Sequence, residues 1–250
     1  MIQEAFSPAE KSDRVAISIV SHGHGAMVSS LLADLAMHCG SGINVILTLN
    51  IPESPTIGDG EFPFPVKLIR NAAPKGFGAN HNAAFRLCHS PYFCVLNPDI
   101  NIAEDPFPGL IRELRIPRSG LAAPRIVNPD GETEDSARGF PTIPFLIRKA
   151  LSLAPKLDYE ITTAPLSPDW VAGMFMLLRS ETFAEVGGFD ERYFLYYEDV
   201  DLCRRLRRHG YDVRLAPSVV AVHDARRESR RSLRHLRWHF ASALRFLLSR

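Results

Sequence analysis

Apolar positions along the chain alternate between two spacings. Short unbroken runs at Val15–Val20, Ile43–Leu49, Val66–Ile69 and Tyr92–Leu96 read as buried strands. Between them, Met27–His38 sets Leu31, Leu32, Leu35 and Ala36 at helical spacing and is stopped by Gly40 and Gly42. Phe77–Leu87 reads as a second helix, entered through Gly76-Phe77-Gly78. Strand–helix–strand alternation with short connections predicts an α/β protein with a parallel, doubly wound sheet.

Later segments extend the pattern. Pro106–Arg115 is predicted as a helix, Leu121–Val127 as a strand, and Asn128-Pro-Asp-Gly131 as a turn. The Pro-rich stretch 139–168 reads as a long surface excursion with a short helix near 145–153, and 51–65 as a loop. Apolar order returns at Trp170–Arg179. Ser180–Gly188 looks like a helix capped by Ser180 and ended by two glycines. Glu198–His209 is predicted as a helix, and Val213–Leu215 and Val219–Val222 as short strands. Residues 1–13 are polar and expected to fray.

Composition narrows the class. With 46% hydrophobic and 23% charged residues, 250 residues suffice for a large buried core. No apolar run spans a bilayer, the start carries no secretory pattern, and the four cysteines show no paired or metal-ligand spacing. Scattered thiols of this kind point to a reduced, cytoplasmic chain. The net charge of +1 conceals an uneven distribution, because the last twenty-five residues hold eight arginines and one acid.

Candidate chemistry gathers in four places. Tyr92–Leu96 ends at Asn97-Pro98-Asp99, where Pro98 stops the ladder and leaves a carboxylate at a strand end, the ligand side of an α/β sheet. One acid beside an oxygen-donor Asn suits a hard divalent cation whose other ligands are phosphates and waters. Further on, Tyr193, Phe194, Tyr196 and Tyr197 precede the crowded acids Glu198, Asp199 and Asp201. Acids at a helix start gain from its dipole, while aromatics beside carboxylates resemble the wall of a sugar site. His223, after a β-run, is a further metal ligand candidate. Arg70, Lys75 and the glycine-flanked helix start at Phe77 are suited to anionic phosphate, although no Walker A loop and no GxGxxG are present.

Taken in order, these segments resemble a family 2 glycosyltransferase of the GT-A fold, close to rhamnosyltransferase-like members. The matching residues are Val15–Val20 with Ser21-His22, Arg70-Asn71, Gly76-Phe77-Gly78 with Asn82, and Leu96-Asn-Pro-Asp99 in place of a DxD. Trp170-Val-Ala-Gly173, Val186-Gly-Gly-Phe-Asp-Glu191, Phe194–Leu202 and His223 complete them. The resemblance implies a Rossmann-like, mostly parallel sheet over residues 1–225, flanked by helices, with a basic amphipathic helix in 226–250. It implies an inverting transferase that moves a sugar from a nucleoside diphosphate-sugar, dTDP-rhamnose being the expected donor, to a hydroxyl of a glycan or lipid-linked glycan in cell-surface polysaccharide synthesis. Asp99, Asn97 and His223 would hold Mg²⁺ or Mn²⁺, and Asp199 would be the general base. Ser21, His22, Asn50, Arg70, Asn71, Lys75, Gly76, Phe77 and Asn82 would face the donor. Trp170, Gly173, Tyr197, Glu198 and Asp201 would face the acceptor.

Two departures stand out. Leu49-Asn50 replaces the family's Asp-Asn after the second strand, so base recognition must differ or fall to Asn50. His81-Asn82 replaces a paired Asn. The weakened DxD and the lost base-reading Asp leave open a sugar-nucleotide-binding protein without catalysis, against which the retained Asp99, Asp199 and His223 argue. In the tail, Leu233, Leu236, Phe240, Leu244 and Leu247 follow helical spacing beside Arg230, Arg234, Arg237 and Arg245. Such a helix would lie peripherally on the inner face of a membrane, pack on the domain, form a homodimer seam or reach the donor. Aromatics are not interleaved with the basic run as nucleic-acid binding would need.

Overall fold

The first apolar runs are almost continuous in Val, Ile, Leu and Phe, as strands covered on both faces require. In the computed structural model, which describes residues 13–53, 62–142, 144, 148, 157–224 and 233–249, they become β1 (Val15–Ser21), β2 (Ile43–Leu49), β3 (Val66–Arg70) and β4 (Tyr92–Leu96). The helices between them are α1 (Gly25–His38) and α2 (Phe77–Phe85). β5 (Ile100–Asn101), α3 (Phe107–Leu114), β6 (Ser119–Val127), β7 (Ala137–Arg138), β8 (Trp170–Val171), β9 (Phe175–Arg179) and α4 (Ser180–Glu185) follow. α5 (Glu198–Arg208), β10 (Asp212–His223) and α6 (Leu233–Leu248) complete the order.

Eight strands form one sheet in the order β3-β2-β1-β4-β9-β6-β10-β5, and β7 pairs with β8 beside it. β3, β2, β1 and β4 run parallel, so their C-terminal ends share one edge. β9 enters antiparallel between β4 and β6. One core lies under α1 and α3, around Leu31, Leu32, Leu35, Leu110 and Leu114. The other, around Phe183, Phe189, Leu202 and Leu206, lies under α4 and α5.

Several boundaries differ from the sequence reading. The run Trp170–Arg179 is two strands parted by residues 172–174. The two expected strands around Val213 and Val222 are one, its register slipping between Ala216 and Val220. Ser180 does not cap α4; it is the first helical residue, and its hydroxyl donates to Ser90 O at 2.6 Å. Apart from Arg148, the short helix expected near 145–153 lies outside the described residues, as do most of 1–13 and the arginines at 226–231. Among the described residues no helix is long and apolar enough to cross a membrane.

Candidate active site

The C-terminal ends of β2 and β3 open on a crevice of about 550 Å³ lined by Leu49, Ile51, Pro52, Glu53, Arg70 and Asn71. His22, Arg70 and Lys75 are exposed around it. Beneath lies an amide network. Asn50 donates through Nδ2 to Lys75 O at 3.0 Å and lies 3.2 Å from His22 Nδ1. Its Oδ1 accepts from Asn71 Nδ2 at 2.9 Å and from the Lys75 N–H at 2.8 Å. Asn71 also donates to Asn80 Oδ1 at 2.7 Å, and Asn80 returns bonds to Lys75 O and Gly76 O. Asn50 thus uses both donors and both lone pairs within the protein. It positions the Lys75–Gly76 loop, and the expectation that it reads a nucleotide base is corrected accordingly. Asn80, which sequence reasoning passed over, completes the net.

Gly76 is required where it stands, because a Cβ there would lie 2.6 Å from Phe194 O. The next amide, Phe77 N–H, donates to that same oxygen at 2.9 Å. The first N–H of α2 therefore joins two chain segments rather than greeting a phosphate.

The second cluster sits where β4 ends. β5 pairs antiparallel with the end of β10, setting His223 opposite Ile100 and bringing its ring beside Asp99. His223 Nε2 is 3.2 Å from Asp99 Oδ2, and Nδ1 is 2.7 Å from Glu134 Oε2. Glu134 arrives on the return arm of the Asn128–Gly131 turn, where its N–H donates to Ile126 O. Burial lowers the basicity of His223, yet the bonds to Asp99 and Glu134 outweigh it and raise its pKa to about 9. Asp99 Oδ1 is buried with no partner among the described residues.

Asp199 forms the third cluster, one residue into α5. Its Oδ2 accepts from the Gly173 N–H at 3.0 Å and its Oδ1 from the Val200 N–H at 2.8 Å. Burial raises its pKa; those amides and the charge of Arg138 pull it partly back. Neighbouring Glu198 is 5% exposed, and burial, followed by the charge of Asp199, raises its pKa well above the carboxylate range. Tyr196 and Tyr197 lead into this turn with φ of 71° and 68°, a left-handed pair of bulky residues that the surroundings must hold in place.

Three consecutive residues join the last two clusters. Ala172 N–H bonds Ser136 O, Gly173 N–H bonds Asp199, and Met174 O accepts from the Asn97 N–H at 2.9 Å. A Cβ at Gly173 would lie 3.3 Å from Phe77 and 3.5 Å from Asp199, so this glycine lets the helix start and the acid close on it. Residues 97–99, 173, 199 and 223, with Phe77, are thereby held around one short segment.

Other sequence candidates serve the scaffold. Ser21 is buried and its Oγ accepts from the His24 N–H, a turn contact. Asn82 donates to Phe189 O and Glu191 and accepts from the Phe189 N–H, clamping the loop after Gly188. Asp201 is paired with Arg204 at 3.0 Å and Arg205 at 2.7 Å. Trp170 donates its indole N–H to Gly139 O, with Arg138 over its ring. His81 is a core residue, its ring 2.8 Å from Ser18 Oγ, and burial lowers its pKa to about 3.

The aromatic stretch expected to wall a sugar site is instead the dock for α6. Phe194 packs on Trp238 at 4.8 Å between ring centroids, and Tyr197 on His239 and Phe246 at 5.4 and 5.7 Å. Tyr196 Oη lies 2.9 Å from His235 Nδ1, and Ser242 donates to Leu195 O. Arg204 holds the far end through Phe246 O, Ser249 O and Ser249 Oγ. Tyr197 is therefore a support for the acid turn, not an exposed stacking face.

Comparison with known proteins agrees with this architecture. The family model for glycosyl transferase family 2 matches residues 54–180, and that for glycosyl transferase family group 2 matches residues 158–245. Rhamnosyltransferase WbbL of Escherichia coli is 29% identical over 93% of this chain and 92% of its own. The N-acetylglucosaminyl-diphospho-decaprenol L-rhamnosyltransferase of Mycobacterium tuberculosis is 29% identical over 96% of this chain and 85% of its own. The mannosyltransferase PcManGT of Pyrobaculum calidifontis, solved with GDP-Man and Mn²⁺, superposes with a TM-score of 0.67 at 16% identity. That match spans 93% of this chain and 64% of PcManGT, and what the two share is the fold. With half its length matched by the family model and a mixed α/β sheet of the GT-A type, the chain belongs to glycosyl transferase family 2, the sugar-transferring enzymes with rhamnosyltransferases among its relatives.

Proposed function

We propose that the chain is an inverting, cation-dependent glycosyltransferase that moves rhamnose, or another hexose, from a nucleoside diphosphate donor to a hydroxyl of a lipid-linked glycan. The observation that carries this reading is the Ala172–Met174 segment, which ties the strand end bearing Asp99 to the acid Asp199. A donor side and an acceptor side of one reaction centre require such a link.

The residues at β4 and β10 fit a divalent cation. Among the described residues one buried carboxylate oxygen of Asp99 lacks a partner, and the His223 imidazole lies 3.2 Å from the other. Among the described residues no group of three His, Cys, Asp or Glu side chains encloses a metal, which suits a cation that shares its ligands with a diphosphate. Asp99, His223 and Asn97 would hold it; when bound it supplies positive charge to the departing diphosphate. Glu134 holds the angle of His223 through Nδ1 with Nε2 toward Asp99, and Nε2 would ligate the ion on giving up its proton.

His22, Arg70 and Lys75 line the approach of the donor, over the loop that Asn50, Asn71 and Asn80 brace. Asp199 is held by two backbone N–H groups, and each oxygen keeps a lone pair for the acceptor hydroxyl. It takes that proton as the acceptor oxygen attacks the anomeric carbon from the face opposite the diphosphate. One carbon–oxygen bond forms as the other breaks, the electron pair leaves with the diphosphate, and configuration inverts. A base whose pKa burial has raised, as that of Asp199 is, accepts the proton more readily.

The test is a panel of dTDP-, UDP- and GDP-sugars, with and without Mn²⁺, read first by thermal stabilisation and then by transfer to a diphospholipid-linked sugar. Cation-dependent stabilisation by one donor, followed by a product of inverted anomeric configuration, is the expected result. Equal stabilisation with and without cation, or a retained configuration, would overturn the reading.

A further inference from the structure

The C-terminal helix uses only half of its surface on the domain. His235, Trp238, His239, Ser242 and Phe246 meet the aromatic stretch and α5. On the opposite side Leu236, Phe240, Leu244, Leu247 and Leu248 are 65%, 70%, 48%, 36% and 73% exposed. Among the described residues, five of the eleven exposed large apolar side chains lie on this one helix. Scattered single apolar residues need no explanation, but a stripe at steps of four, four and three marks a surface built for contact.

Charge decides the occupant. Arg237 and Arg245 are exposed and run along one flank of the stripe. In sequence the segment 226–250 holds six further arginines and a single acid, Glu228. A two-fold pairing with a second copy would set these arginines against each other, since both subunits present the same patch. An anionic bilayer meets both features, burying the apolar stripe at the acyl boundary and pairing the arginines with headgroups. At sixteen residues and with three internal arginines, the helix is built to lie on a bilayer rather than cross it.

We infer that Leu233–Leu248 is an interfacial anchor that seats the protein on an anionic lipid surface. The docked face of the same helix grips Tyr196 and Tyr197, directly before Glu198 and Asp199. Resting on the functional reading above, the anchor then sets the acceptor side of the site beside the bilayer, where a lipid-linked acceptor presents its sugar.

The test uses the full chain and phosphatidylglycerol-rich vesicles, with phosphatidylcholine vesicles as the neutral control. Wild type should sediment with the anionic vesicles and bind the neutral ones far less, the difference shrinking as salt rises. Combined Leu236→Ser, Phe240→Ser and Leu244→Ser, all at exposed positions, should weaken binding by about tenfold or more while the melting temperature stays unchanged. The same variant should keep its rate on a water-soluble acceptor and lose rate on a vesicle-borne one. Wild type left in the supernatant, or a triple variant that sediments equally, would overturn the anchor. So would a wild-type dimer in analytical ultracentrifugation that the triple substitution converts to monomer. Vesicle binding stands apart from catalysis, so a failure of the Asp199 reading would show only in the transfer arms.

Discussion

The two halves of the site are built by opposite means. The half proposed for the donor sits on the ends of parallel strands and is open: His22, Arg70 and Lys75 are exposed around the crevice, and the polar net beneath them is satisfied by neighbours. The acid half is closed and costly. Glu198 is buried and Asp199 half-buried, both pushed toward the protonated form by desolvation, behind two left-handed tyrosines. Regular strand geometry delivers the first half without strain. The second needs outside support, and α6 provides it by packing on the very residues whose backbone is strained.

The largest expected effect isolates the acid half. Asp199→Asn keeps the shape and removes the base, so transfer should fall by roughly 10²- to 10⁴-fold. Donor-induced thermal stabilisation should remain. If both fall together, the halves are not separable as described. In wild type, the acid limb of the rate profile should lie above the ordinary carboxylate value, because ionised Asp199 is lost as pH drops through its raised pKa.

Next comes the cation side. Glu134→Leu leaves Asp99 and His223 in place but frees the ring, and metal affinity should drop by about 10- to 100-fold. Mn²⁺ electron paramagnetic resonance with a nucleoside diphosphate measures this independently of turnover. Glu134→Gln, which retains an acceptor oxygen, should restore most of the affinity.

The support offered by α6 is tested by Phe246→Ala. This ring is 4% exposed between Tyr197 and the Arg204 guanidinium, and removing it should cost about 3 kcal/mol. Chemical denaturation gives the stability; kinetics should show transfer impaired more than donor binding. Equal impairment of both would dissolve the contrast between the halves.

How much of this was legible follows from the range of the forces involved. The strand–helix alternation and the strand end at Asn97-Pro98-Asp99 are local, written in spacing and in Pro98. The meeting of Asp99 and His223 depends on β5 pairing with β10, across 124 residues. Beside the family resemblance, only the place of His223 at a strand end pointed there. Glu134 left no signal, because an acid past a turn looks like any solvated acid until the hairpin folds against β10. The tail was half legible: its apolar period was plain, but the face carrying Leu236, Phe240 and Leu244 turned out to be the free one. Docking uses aromatic and histidine positions between those leucines, which no hydrophobic period singles out.

The smallest expected effect asks whether the closed half is under electrostatic stress at rest. Glu198 is buried beside Asp199, and its Oε2 has no hydrogen-bond partner among the described residues. Because its folded pKa is raised, the proton it carries favours the native state; that contribution is complete below the unfolded carboxylate value and is lost as pH rises through the folded one. Glu198→Gln removes the titration while keeping size and polarity. Below the ordinary carboxylate range the two proteins should melt alike, and above it the variant should become progressively the more stable, by a few degrees at most. A melting temperature difference independent of pH would mean that Glu198 holds its proton alike in the folded and unfolded chain, and the description of the acid half as closed would fail at its centre.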